Sequence, residues 1–299
     1  MPERKLHHLE KIVAACALLA VLALTVGFAQ AGDLVHRTSV GEDSEHRRQV
    51  FLRSSVALVQ DATSGETILA KNSDAVLPIA SITKLMTAMV ILDRGLDLQE
   101  EVVVSREDID RLKGTRSRLR PGSRLTRNEL LLIALMASEN RAAAALGRTY
   151  PGGTEQFVAA MNRKARALGM EDTHYVDPTG LDSGNVSSAR DLAKLVKAAT
   201  SYPLIREYTT REGAQVMARG RKLSYANTNR LVRNPRWDID LSKTGYISEA
   251  GRCLVMRVRV ASKDLIVVLL DSWGKYSRLG DANRIRKWLE SSAFLETRG

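Results

Sequence analysis

The chain has 299 residues, a formal net charge of +11 and two cysteines. Its length allows one large domain or two ordinary ones around a substantial core. Cys16 lies in a predicted export leader, so Cys253 would be the only cysteine of the mature chain and an intrachain disulfide is excluded. No cluster of ligand residues indicates a metal site, and we expect no metal and no cofactor.

The first 31 residues predict a cleavable signal peptide. Residues 1–11 are basic, residues 12–26 carry no charge, and Ala29-Gln30-Ala31 is a small-x-small cleavage site. Cleavage after Ala31 would release the chain into the periplasm without a stable membrane anchor. The uncharged run is marginal for a membrane-spanning helix, which needs about 20 residues, so an uncleaved anchor is the alternative. Residues 32–50 are polar and predict a loosely held segment.

A hairpin and a helix are predicted next. Residues 55–60 and 66–70 have the composition of strands around a turn at residues 61–65. Pro78 precedes apolar residues that recur with a period of about 3.6, and these predict an amphipathic helix ending near Gly95.

Ser81 falls in the first turn of this helix, and Lys84 lies three residues later on the same face. A serine hydroxyl attacks poorly until a base takes its proton, and a lysine desolvated among apolar neighbours can be that base. The backbone N–H groups of a helix start would stabilise an oxyanion. Ser-x-x-Lys alone is a weak signal, since it recurs at Ser272-Trp273-Gly274-Lys275, where we expect a turn without chemistry.

A basic loop follows a short strand predicted at residues 101–104. Its basic residues are Arg111, Lys113, Arg116, Arg118, Arg120, Arg124 and Arg127. Nucleic-acid binding is disfavoured because no aromatic residues interleave with the arginines and the leader would export the chain. Two interpretations stay open: a surface for an anionic polymer, and a solvated charged loop without a partner.

A polar motif interrupts the next apolar helix. Residues 126–129 have capping-box form and predict a helix start. An almost wholly apolar run then leads to Ser138-Glu139-Asn140, whose polar groups need partners if the helix is buried. The motif is either functional or a helix–helix junction in which Ser138 and Asn140 cap the next helix.

The rest of the chain changes from helices to strands. Helices are predicted at residues 154–168, with Gly169 as the stop, and from Ser188 to about Thr200. The loop between them contains His174, which we interpret as structural. Extended segments are predicted at residues 214–218, 221–225, 241–246, 252–260 and 265–270, and an amphipathic helix at residues 281–293. Strands at both ends with helices between them predict one sheet assembled from both ends of the chain.

Lys243-Thr244-Gly245 lies within one of these predicted strands. A glycine inside a strand often marks the close approach of a ligand backbone. The alternative is an edge strand with a solvated lysine. Cys253 begins the following strand and is expected to be a small buried residue.

Taken together and in this order, the three motifs that begin at Ser81, Ser138 and Lys243 are those of serine β-lactamases and penicillin-binding proteins. Residues 137–143 and 243–256 resemble the low-molecular-mass penicillin-binding proteins, and among them the D-alanyl-D-alanine endopeptidases of the penicillin-binding protein 7 type. The resemblance covers roughly residues 50–295.

The fold that it implies is α/β (α+β), an antiparallel sheet flanked by helices beside an all-helical lobe. The catalytic domain would be residues 51–299, with the helical lobe at approximately residues 85–210 and the active site between the two lobes.

The resemblance also implies residue roles in an acyl transfer. Ser81 would be the nucleophile, Lys84 the general base and Ser138 the proton relay to the leaving amine. The backbone N–H groups of Ser81 and Tyr246 would form the oxyanion hole. The substrate would be held by Asn140, Lys243, Thr244 and Gly245.

Peptidoglycan stem peptides would be the substrate, and β-lactams would trap Ser81. An endopeptidase and a carboxypeptidase share this chemistry. Two observations favour the endopeptidase. One is the match around the second and third motifs, and the other is the lack of room for a further β-rich domain and a membrane-binding helix. An inactive peptidoglycan-binding protein is the remote alternative. Fast β-lactam hydrolysis is disfavoured, because residues 171–185 lack a Glu-x-x-Leu-Asn pattern. The sequence indicates no oligomeric state.

Overall fold

The computed structural model describes residues 50–296. The predicted signal peptide and nearly all of the polar segment after it lie outside these residues. The strands are β1 (Ser54–Asp61), β2 (Thr67–Lys71), β3 (Leu77–Pro78), β4 (Glu101–Val103), β5 (Arg124–Thr126), β6 (Val186–Ser187), β7 (Gly213–Ala218), β8 (Arg221–Ala226), β9 (Asp238–Ile247), β10 (Gly251–Val260) and β11 (Lys263–Ser272). The helices are α1 (Lys84–Asp93), α2 (Arg127–Met136), α3 (Asn140–Arg148), α4 (Gly153–Ala167), α5 (Ala189–Ala199), α6 (Pro203–Thr210) and α7 (Ser277–Glu296).

A five-stranded antiparallel sheet forms one side of the molecule, in the order β2-β1-β11-β10-β9. The pairing of β1 with β11 places Ser54 opposite Ser272, so the sheet joins the two ends of the described chain. Side chains of a strand alternate between the two faces of a sheet. Val56 and Leu58 accordingly join the core shared with α1, whereas Ala57 and Val59 join the core covered by α7. The predicted fold class, an antiparallel sheet flanked by helices, is confirmed.

The hairpin of β7 and β8 is a separate two-stranded sheet, so the prediction that all the late strands join one sheet is wrong. Alternation of apolar and polar residues indicates a strand but does not specify its partner. The hairpin packs against α2 instead, where Val216 and Tyr225 are buried.

The helices between β2 and β9 begin and end largely where local signals predict. Thr126 and Glu129 form the expected capping box of α2, Ser188 caps α5, and Gly169 after α4 has a φ of 68°. α6 was not predicted. α1 is not amphipathic, because every residue from Lys84 to Ile91 is buried. Within the described residues, no helix has the length and apolar content needed to span a membrane.

Candidate active site

Ser81 lies in a short 3₁₀ helix, Ala80–Thr83, that leads directly into α1. We call this segment the Ser81 turn. Ala80 has a φ of 48°, in the left-handed region that residues other than glycine rarely adopt. Gly180 packs on the turn so closely that a Cβ atom there would overlap the Ala80 carbonyl. The loop after α4 therefore holds the Ser81 turn in place, and only glycine fits at the contact.

Lys84 is the first residue of α1 and is 1% exposed. Its Nζ atom contacts Ser81 Oγ at 2.8 Å, Asn140 Oδ1 at 2.8 Å and the Thr179 carbonyl at 2.6 Å. Burial lowers the pKa of Lys84 to about 7, although the carboxylates of Asp177 and Glu139 act in the opposite direction. A substantial fraction of this lysine is therefore uncharged at neutral pH.

The orientation of the Asn140 amide is fixed by a chain of hydrogen bonds. Thr115 Oγ1 donates to Asp110 Oδ2 over 2.7 Å, so its oxygen is free to accept from Asn140 Nδ2 at 3.0 Å. This leaves Asn140 Oδ1 facing Lys84. The Thr179 carbonyl and Asn140 Oδ1 can only accept, so an uncharged Lys84 amine gives its N–H bonds to them and turns its lone pair toward Ser81.

Ser138 lies at the junction of α2 and α3 with a φ of 58°. Lys243 Nζ donates to its Oγ over 2.9 Å, so the second and third motifs meet across the site. The residue that caps α3 is Glu139, whose side chain accepts from the backbone N–H of Arg141. The motif is thus a helix junction. Ser138 and Asn140 do not cap α3, because their side chains face the site instead.

Lys243 lies on β9, which is an edge strand of the sheet, but its side chain is only 1% exposed. The alternative of a solvated lysine is therefore wrong, because the side chain packs against the helix junction at Ser138. Burial, with the nearby charges of Lys84 and Arg278, lowers the pKa of Lys243 well below its usual value. A carboxylate bound beside Lys243 would favour the charged form of this amine again.

β9 approaches the Ser81 turn at Gly245. A Cβ atom at this position would lie 2.9 Å from the Ile79 carbonyl oxygen and 3.1 Å from Ser81 N. The glycine therefore brings the backbone of β9 beside the backbone N–H of Ser81. Tyr246 follows, with an exposed ring stacked 4.4 Å from the Arg252 guanidinium. Thr244 Oγ1 donates to Thr228 Oγ1 over 2.7 Å.

Sequence reasoning missed several residues of this site. Arg278 on α7 donates to the Gly245 carbonyl over 3.1 Å, and burial lowers its pKa to about 10. Its Nε atom is buried without a partner among the described residues. The sequence predicts that the closing helix begins at residue 281, so Arg278 falls before its predicted start. Asp110, Thr115 and Thr179 also carried no motif signal, because they act through loop geometry or a backbone carbonyl.

Other residues singled out in the sequence lie elsewhere. Ser272 is buried and its hydroxyl shares a hydrogen bond of 3.2 Å with the Ser54 hydroxyl, so the second Ser-x-x-Lys match has a structural role. His174 pairs through its backbone with Val186. Cys253 is free and buried, and burial raises its pKa to about 11.

The fold and the site are those of a serine hydrolase. The fold is an antiparallel sheet with helices on both faces, and the site has a buried lysine beside Ser81. Residues 43–274 match the family model described as D-alanyl-D-alanine carboxypeptidase, and the chain belongs to that peptidase family. The resemblance inferred from the three motifs is confirmed.

Two relatives are named D-alanyl-D-alanine endopeptidase. The one from Pseudomonas aeruginosa is 49% identical over 81% of this chain and 79% of its own length. The one from Escherichia coli is 44% identical over 90% of this chain and 87% of its own length.

Solved structures agree with these matches. A D-alanyl-D-alanine carboxypeptidase from Mycobacterium tuberculosis is 27% identical, with a TM-score of 0.72 over 80% of this chain and 91% of that one. A Streptomyces DD-transpeptidase is 25% identical, with a TM-score of 0.73 over 80% of this chain and 97% of that one.

Proposed function

We propose that the protein is a D-alanyl-D-alanine endopeptidase that hydrolyses the D-Ala–diaminopimelate cross-links between peptidoglycan stem peptides. The reaction would pass through an acyl-enzyme on Ser81. The observation that carries this proposal is the contact of 2.8 Å between Ser81 Oγ and the buried Lys84, whose pKa is lowered to about 7.

In the first step, uncharged Lys84 takes the proton of Ser81 Oγ as this oxygen attacks the D-alanyl carbonyl. The oxyanion is held by the backbone N–H groups of Ser81 and Tyr246, each worth about 2.7–4 kcal/mol in comparable sites. Ser138, hydrogen-bonded to Lys243, relays this proton from Lys84 to the leaving amine as the C–N bond breaks, so Lys84 is uncharged again. Water then attacks the acyl-enzyme and restores Ser81.

The carboxylate next to the scissile bond would bind to Lys243, Thr244 and Arg278, with Gly245 admitting the substrate backbone. Arg278 joins this set because its buried guanidinium lies on the Gly245 carbonyl and faces no described carboxylate. Asn140 would hold the substrate amide. Its own amide is bonded at both ends in the free enzyme, so a substrate that binds it would displace Thr115.

Cleavage of a cross-link is favoured over removal of a terminal D-Ala by the pattern of similarity. The relatives named endopeptidase from P. aeruginosa and E. coli are 49% and 44% identical. Relatives named carboxypeptidase are 29–32% identical and match over smaller fractions of their length. The predicted signal peptide would deliver the enzyme to the periplasm, where its substrate lies.

The decisive experiment is digestion of purified muropeptides, with Ser81→Ala as the control. A cross-linked dimer and an uncross-linked pentapeptide are compared at equal concentration. Conversion of the dimer to monomers by the wild type alone supports the endopeptidase. Trimming of the pentapeptide with an intact dimer would make the enzyme a carboxypeptidase. Covalent labelling by fluorescent penicillin, absent in Ser81→Ala, tests the acyl-enzyme separately.

A further inference from the structure

A cavity of about 460 Å³ lies between the basic loop, defined here as residues 105–123, and the turn of the β7–β8 hairpin. We call it the arginine pocket. Its polar lining comes from Arg118, Arg120, Arg219, Arg221, Ser117 and Ser123. Four arginines from two separate segments therefore line one cavity.

These arginines form no ion pair within the part of the chain that the structure describes. Among the residues that the structure describes, none of the four guanidinium groups lies within ion-pairing distance of a carboxylate. Arg118 donates to the Ser224 carbonyl, and Arg219 donates to the Pro121 carbonyl over 3.4 Å. Like charges around one cavity repel each other unless an anion lies between them.

Three other basic residues of the same region are paired with carboxylates. Arg127 is 1% exposed and pairs with Glu100 at 2.6 Å, so it does not belong to a solvated charged loop. Lys113 pairs with Glu249, and Arg124 pairs with Glu101 at 3.5 Å. The arginine pocket differs from these three positions in that four arginines share one cavity without a carboxylate among the lining residues.

Both walls of the arginine pocket continue into the active site. On the loop side, Thr115 contacts Asn140, and Ser117 lies only two residues further on, a span of at most about 7 Å. On the hairpin side, β8 leads to Thr228, which accepts the hydrogen bond of Thr244. Arg221 precedes Thr228 by seven residues, a span of at most about 25 Å, so a substrate that extends several residues beyond the scissile bond along this side of the site would reach the arginines.

We propose that the arginine pocket binds carboxylates of the leaving stem peptide, the half of a cross-linked substrate that departs with the amine. This inference rests on the proposed function. A leaving stem peptide is several residues long and carries free carboxylates, which guanidinium groups bind in a bidentate manner. The leaving group of a carboxypeptidase is a single D-alanine, which is too short to extend into the pocket. The arginine pocket would thus select cross-linked over uncross-linked substrate.

The test compares kcat/KM for the cross-linked dimer with kcat/KM for the pentapeptide in Arg120→Gln/Arg221→Gln. Arg118 is left in place because its guanidinium stacks 4.0 Å from the Tyr225 ring. We expect the ratio of dimer to pentapeptide cleavage to fall about tenfold, the effect of two partly screened charge contacts. The matched control is Arg163→Gln/Arg166→Gln, which removes the same charge from exposed positions of α4 and should leave the ratio unchanged.

A second measurement needs no variant. A dimer in which the leaving stem keeps the carboxylate next to the scissile bond but has its other carboxylates amidated should be cleaved by the wild type about tenfold more slowly than the free acid, and the double variant should not distinguish the two. Equal cleavage of the acid and the amide by the wild type overturns the inference.

The two proposals can fail separately. If the wild type trims the pentapeptide but leaves the dimer intact, the endopeptidase proposal fails. Binding of the dimer to Ser81→Ala then tests the arginine pocket, and an equal affinity when Arg120→Gln/Arg221→Gln is added overturns that inference too.

Discussion

The acylation of Ser81 by penicillin should follow the ionisation of Lys84. Only the uncharged amine can take the serine proton, and burial lowers the pKa of this lysine from 10.5 to about 7. The acylation rate should therefore rise with pH, with an inflection near 7, and level off above pH 8. Below the inflection the rate should fall tenfold per pH unit, so that about 1% of the plateau rate remains at pH 5.

The pH range over which the acylation rate changes depends on the burial of Lys84. A lysine with the ordinary pKa of 10.5 would be uncharged in only about 0.03% of molecules at pH 7. Its acylation rate would still climb tenfold per unit between pH 8 and 9. The profile between pH 5 and 9 therefore distinguishes the buried base from a solvated one.

The assay is stopped-flow acylation by a fluorescent penicillin at fixed ionic strength. Lys84→Arg is the informative variant, because a guanidinium keeps the positive charge but cannot lose its proton. We expect it to slow acylation by about 10²–10⁴-fold and to abolish the inflection. Lys243→Arg should retain the inflection. A rate independent of pH between 5 and 9, or an unchanged profile in Lys84→Arg, would refute the assignment of the base.

Three further predictions concern the residues that support the site. Thr115→Val removes the hydroxyl that orients the Asn140 amide, so acylation should slow about tenfold, and Thr115→Ser should restore it. Gly180→Ala places a Cβ atom against the backbone of the Ser81 turn, so thermal denaturation should show a loss of more than about 2 kcal/mol. Gly95→Ala, with a φ of 66° but open space around it, should cost only about 1–2 kcal/mol. Asp281→Asn should lose about 1.5–3 kcal/mol in urea unfolding at pH 7, because the carboxylate accepts two hydrogen bonds from Ser54. Burial alone would raise the pKa of Asp281, but these bonds lower it below 3.8, so the stabilisation is present above about pH 3.8 and the two proteins should converge as the pH falls further.

Local signals in the sequence were sufficient to predict the helices and the strand that carry the three motifs. The capping box of Thr126 and Glu129 marks the start of α2, because both partners of its hydrogen bonds lie within one turn. The spacing of Ser81 and Lys84 places both on one face of a helical segment for the same reason. The convergence of these residues with Ser138 and Lys243 came from family resemblance, because no local pattern brings residues 105 positions apart into contact.

Interactions between distant segments could not be predicted. The Thr179 carbonyl accepts from Lys84 across 95 residues and uses only its backbone, so no residue type signals it. The Asp110–Thr115–Asn140 chain depends on the path of a loop without periodic structure. Local sequence also left open whether Lys243 is solvated, because the pattern of an edge strand does not show what packs on its side chains.

The position of β1 has a consequence for how the enzyme matures. β1 lies between β2 and β11, so its second set of hydrogen bonds must wait for residues 263–272. Contacts between such distant segments form late, because a long loop must close first. A growing chain can build the β1–β2 hairpin and the helices while Lys243 and Gly245 are still missing from the site. The site of Ser81 and Lys84 therefore lacks its third motif until β9 has been added to the sheet.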